Sequence, residues 1–70
     1  MNILPSSLKP GDIFEVIWHQ IDETDIHVVL EVYSSGLHSQ DISRLVNNNE
    51  ESFYNWRFDV TLKSCSINLL

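Results

Sequence analysis

The sequence predicts an α+β domain: a small, strongly bent antiparallel sheet carrying one short helix. Three observations predict it. Residues 13–20 and 26–33 are rich in β-branched and aromatic residues, and apolar and polar residues alternate through 54–62, a period of two that marks a half-buried strand. Ile42, Leu45 and Val46 show the i, i+3, i+4 spacing of a helix face. The chain is 70 residues long and 43 % hydrophobic, which suits one globular domain and no more.

Residues 1–9 read as a loosely held lead-in to a single domain spanning 1–70. Lys9-Pro10-Gly11-Asp12 is a turn, because proline presets φ and glycine accepts φ > 0. The first strand follows over 13–20, with Phe14, Val16 and Trp18 on one face and Ile13, Glu15, Ile17 and His19 on the other. The nine residues Leu8 to Val16 resemble the opening of SH3-like barrels, where a Gly-Asp turn precedes an apolar strand. That resemblance implies a partial barrel and carries no function.

Asp22-Glu23-Thr24-Asp25 reads as a hairpin tip. The second strand, 26–33, places Ile26, Val28, Leu30 and Val32 on its apolar face. Matching that face to Phe14/Val16/Trp18 requires paired residue numbers with an even sum, hence a turn of odd length. His19, His27, Glu15 and Glu31 then share the opposite, wetter face. A helix is expected over 39–47, capped by Ser39 and stopped by Asn47-Asn48-Asn49. The competing reading is a strand through Ile42 to Val46.

Tyr54, Trp56, Phe58, Val60 and Leu62 form the buried face of a last long strand. The phase then flips to Cys65, Ile67 and Leu69, which a bulge near Lys63-Ser64 or a fourth strand explains. The expected order is β-β-α-β with room for that fourth strand, and Leu69-Leu70 docked at the end. Surface scaling gives a folded area of roughly 4,500 Å². A domain this small is marginal alone and gains from self-association or a partner.

Charge is the sharpest functional signal. Ten acids face four bases, for a net charge of −6, and no Lys or Arg occurs between Pro10 and Ser43. That stretch holds Asp12, Glu15, Asp22, Glu23, Asp25, Glu31 and Asp41. Such a field repels phosphate and attracts a basic protein. The expected function is a small acidic inhibitor that occludes a basic, nucleic-acid-handling surface, as phage anti-defence and immunity or antitoxin proteins do. Those seven acids are the expected partner-binding residues, with Asp22, Glu23 and Asp25 foremost. The alternative is an assembly module that joins a second copy or a larger complex through apolar strand edges.

Other chemistries are weaker. His19, His27, Glu15 and Glu31 could hold zinc on one sheet face, yet no HxH, CxxC or HExxH spacing exists, so no metal or cofactor is expected. Cys65 sits in an alternating pattern that suits a buried hydrophobe. Without a glycine-rich loop or nucleophile elbow, no enzyme activity is expected. Tyr54, Trp56 and Phe58 could stack on bases, but Arg57 and Lys63 project from the other face, so no direct nucleic-acid binding is expected. No apolar run is long enough to span a bilayer, and no secretory signal is expected at the start. Together with a single cysteine, this suggests a cytoplasmic protein of the cell or of something that infects it.

Overall fold

The computed structural model describes residues 5–59 and 64–70. Among these residues, five antiparallel strands form one open sheet, joined by the helix α1: β1 (Ile13–Trp18), β2 (Glu23–Val32), β3 (Gly36–Asp41), α1 (Ile42–Asn48), β4 (Phe53–Arg57) and β5 (Cys65–Leu69). The sheet order is β4-β3-β2-β1-β5. Its accessible surface, 4638 Å², is close to the area expected for the mass. Among the described residues no helix is long and apolar enough to cross a membrane.

The sheet curls tightly. Three strand spacings of about 4.8 Å would hold β1 and β4 roughly 14 Å apart if it were flat. Instead the Trp18 and Trp56 rings stack 5.7 Å apart, and Phe14 meets Trp56 edge-on at 6.4 Å. The concave face closes on a core of Leu8, Phe14, Val16, Val29, Leu37, Trp56, Cys65 and Ile67. Leu8, in the segment read as a lead-in, is therefore a core residue.

Several expected elements stand. The turn at residues 9–12 forms with Asp12 N–H donating to the Lys9 carbonyl at 3.0 Å and Gly11 at φ +91°, as a type II turn requires of its third residue. Asn49 stops α1 in the left-handed region, φ 53°. The phase flip produces β5, whose Cys65 and Ile67 are buried and pair with Trp18 and Val16. Leu70 N–H donates to the Ile13 carbonyl at 2.9 Å, so the C-terminus is docked.

Four expectations are corrected. The β1–β2 register has an odd sum, with Phe14 opposite His27, Val16 opposite Asp25 and Trp18 opposite Glu23. The turn is residues 19–22, so Glu23 and Asp25 belong to β2 rather than to a hairpin tip. An odd register by itself turns Glu31 toward the core, a costly placement for a carboxylate. A bulge between Val29 and Glu31 in the β2–β3 pairing resolves this by resetting the alternation. Val29 and Val32 then face in, and Glu31 stays exposed.

The second correction is β3, a central strand that the β-β-α-β order lacks. Its inward residues are Leu37, Ser39 and Asp41, two of them polar. Third, α1 begins after Asp41, which caps it by accepting from Arg44 N–H at 3.0 Å. Ser39, the expected cap, is inside β3, and Ile42 to Val46 is helix rather than strand. Fourth, β4 ends at Arg57, with Phe58 and Asp59 already helical. The expected continuation through 60–63 lies outside the described residues.

Candidate functional site

Curling brings the inward polar residues of β2 and β3 under the aromatics of β1 and β4. His27, expected on the wet face, is completely buried. It stacks on Phe14 at 5.4 Å and lies edge-on to Tyr54 at 4.8 Å. Its Nδ1 is 2.8 Å from Ser39 Oγ, and that oxygen also accepts from Trp56 Nε1–H at 2.8 Å. One hydroxyl thus ties β2, β3 and β4 together at the centre of the core.

The other ring nitrogen, His27 Nε2, has no hydrogen-bond partner among the described residues. It faces Asp41 Oδ2 at 4.0 Å, too far for a hydrogen bond. Asp25 completes the group: one donor atom each from Asp25, His27 and Asp41 lie within 4.8 Å of one another. Both carboxyl groups are held from outside. Trp18 Nε1–H donates to Asp25 Oδ2 at 2.8 Å, and Asp41 Oδ1 caps α1.

Burial pushes the His27 pKa below its ordinary 6.5, against the opposing pull of Asp41 and then Asp25. Burial, followed by the charges of Asp41 and Asp25, pushes the Tyr54 phenol up. The groups facing His27 are Asp25 on its own strand, Asp41 on β3 and Tyr54 on β4; from β1 it meets Phe14. The sign of the pH dependence follows. Above pH ~6.5 the imidazole is neutral in both states. Below it, the unfolded chain binds a proton that the folded chain refuses, so stability falls until the lowered folded-state value is passed. Thermal melts are expected to lose midpoint temperature from pH 7 downward. The His27 ring, followed by NMR, should still be neutral where free imidazole is half-charged. A His27 ring that charges together with free imidazole would contradict the burial.

Asp25 and Asp41 open onto a cleft of about 540 Å³ whose walls include Trp18, Glu23, Arg44 and Tyr54. Arg44 is drawn to Glu50 at 3.3 Å. Exposed Asp22 stands in the turn beside Glu23. Of the seven acids singled out by sequence, the fold gathers Glu23, Asp25 and Asp41 at this end. The other four do not line the cleft: Asp22 is in the adjoining turn, and the remaining three are held elsewhere. Asp12 Oδ2 accepts from Lys9 N–H at 2.8 Å, Glu15 Oε1 from Asn68 Nδ2 at 3.0 Å, and Glu31 Oε2 from the Tyr33 hydroxyl at 2.8 Å.

The zinc set weighed from sequence is not assembled. His19 leaves β1 to meet Ser66 Oγ at 2.8 Å on the surface, and Glu15 and Glu31 are held as above. Cys65 is buried, and burial pushes its thiol pKa up, which makes it a poor nucleophile. Sequence reasoning missed the His27–Asp41 neighbourhood because β3 was unseen. The i, i+2 spacing of Asp25 and His27 was the one available signal, since it puts both on one strand face. Comparison with known proteins finds no matching family model, no matching curated protein and no matching solved structure.

Proposed function

We propose that the chain is a non-enzymatic protein-binding module that receives a basic side chain of a partner protein at the acidic end of its sheet. The observation that carries this reading is the cleft whose walls combine Glu23, Asp25 and Asp41 with the aromatic side chains of Trp18 and Tyr54. Carboxylates attract a Lys or Arg, and aromatic faces add cation–π attraction once water is excluded. Asp22 extends the acidic rim, and the absence of Lys and Arg from Pro10 to Ser43 favours fast, salt-sensitive association. An inhibitor that occludes a basic nucleic-acid-handling surface is the specific form we favour. The nine-residue opening and the return of β5 beside β1 support the finer description of the sheet as an SH3-like partial barrel.

The test reverses two exposed charges, Asp22→Lys with Glu23→Lys. Asp25 is left alone because it holds the Trp18 indole, and its reversal would disturb the fold. A basic partner retained by the wild type at low salt is expected to be released near 0.5 M, where the Debye length is about 4 Å. The double variant should not retain it, with its melting temperature unchanged. Retention by the double variant would sink the electrostatic reading.

Exposed apolar residues on the two edge strands, Phe53 on β4 and Leu69 on β5 with Leu70 beyond it, favour a second reading as an assembly module. Unpaired strand edges invite another chain. A salt-insensitive dimer or larger species in solution would decide for it.

A further inference from the structure

The geometry points to a divalent transition-metal site, best suited to Zn²⁺, formed by Asp25 and Asp41, which line the cleft, and by buried His27. It goes beyond the partner-binding reading: it shares Asp25 and Asp41 with that cleft, adds buried His27, and is tested with the metal alone, without any partner.

Two independent observations carry it. The first is the donor set: an imidazole and two carboxyl groups with ligand atoms within 4.8 Å of one another. Tetrahedral bonds of 2.0–2.2 Å place donors about 3.4 Å apart, so side-chain rotations of about an ångström close the group on an ion. The second is His27 Nε2, fully buried, aimed at Asp41 and without a partner among the described residues. A buried polar nitrogen left unpaired is costly.

The tautomers explain why protein groups alone leave it so. If the Ser39 hydroxyl donates to Nδ1, Nε2–H points at Asp41 Oδ2 across 4.0 Å and gains no hydrogen bond. If Nδ1–H donates to Ser39 Oγ, the Nε2 lone pair faces a carboxylate oxygen. A cation between them removes the conflict in the second case, and that is the tautomer a metal needs.

The supports of the ligands are also in place. Metal-bound histidines donate their second N–H to a fixed acceptor, and Ser39 Oγ is 2.8 Å from Nδ1. Trp18 Nε1–H holds Asp25 Oδ2 and leaves Oδ1 to ligate. Arg44 N–H holds Asp41 Oδ1 and leaves Oδ2. Three protein ligands leave a fourth position toward the cleft, the pattern of a zinc site with an open place. The imidazole favours Zn²⁺ over Mg²⁺.

The experiment is a titration of the chelator-treated chain with Zn²⁺ and, separately, Mg²⁺. Calorimetry, melting temperature and the His27 ring ¹⁵N shifts are followed. One equivalent of Zn²⁺ is expected to bind, raise the melting temperature and shift Nε2, while Mg²⁺ does none of these. Asp25→Asn keeps an acceptor for Trp18, and should weaken Zn²⁺ binding about tenfold or more. His19→Gln, at the exposed surface histidine, should leave binding intact. Failure to bind one equivalent, or binding that survives Asp25→Asn and is lost in His19→Gln, overturns the site. So does an unmoved Nε2 resonance, which reads the wild-type protein and does not depend on any variant folding.

Discussion

Gly36→Ala is expected to abolish the native fold. A Cβ built at Gly36 would lie 1.9 Å from the Trp56 carbonyl oxygen, 3.0 Å from its carbon and 3.4 Å from Arg57 Cα. All three atoms are backbone, and Gly36 pairs with Arg57 in the β3–β4 ladder. No rotamer change relieves such a clash; β4 has to move off β3. That movement withdraws Trp56 from the core. Overpacking alone costs about 1–3 kcal/mol, and the lost ladder and core contacts add to it in a domain with little stability to spare. Gly11 supplies the contrast. Nothing lies within 4 Å of its Cβ position, and only its φ of +91° resists a side chain. Gly11→Ala should cost about 1–2 kcal/mol and leave a folded protein. Urea denaturation of both variants checks the pair. A Gly36→Ala protein with a native midpoint would show that β3 and β4 are not in this register.

Trp56→Ala is expected to cost about 3–5 kcal/mol. Trp56 is 7 % exposed, and its ring meets Phe14 and Trp18 of β1, His27 of β2 and Tyr54 of its own strand β4. Those contacts span the sheet from β1 to β4, so truncation removes the filler around which the sheet curls. It also deletes the indole N–H that donates to Ser39 Oγ. Trp56→Phe separates the two contributions, since it keeps most of the apolar volume and loses the hydrogen bond, worth about 1 kcal/mol. Equilibrium unfolding of the three proteins should rank wild type above Trp56→Phe above Trp56→Ala. Phe58, which the alternation presents as an equal anchor, is only partly buried and stands beyond the end of β4. Its truncation should cost less than that of Trp56, and the reverse order would contradict this core.

The candidate site shows how far a sequence carries such a reading. The acidic half and its lack of bases are plain in the residues, and so is the nearness of Glu23 to Asp25. Their separation from Asp12, Glu15 and Glu31 is not, because it depends on which face each strand turns inward. His27 was misplaced by the same parity. An apolar-face match is a sound guide only when the buried face is apolar, and here it includes Asp25, His27, Ser39 and Asp41.

Local chemistry by itself determined the Pro10-Gly11 turn, the alternating cores of β1 and β5, the inward Tyr54 and Trp56, the arrest of α1 at the asparagines and the acidic end. Each is a property of a few neighbouring residues: a preset φ, a period of two, a tolerated left-handed conformation, uncompensated charge. Only the tertiary structure decided the odd register, the bulge that keeps Glu31 out, and β3 as a central strand. Ser39 finds its partners 12 and 17 residues away, in His27 and Trp56. Asp41 accepts from the first turn of α1 and, through its backbone N–H, donates to the Ser52 carbonyl. A polar residue turned inward is stable only when its partners arrive from elsewhere in the chain, and no window of local sequence contains them.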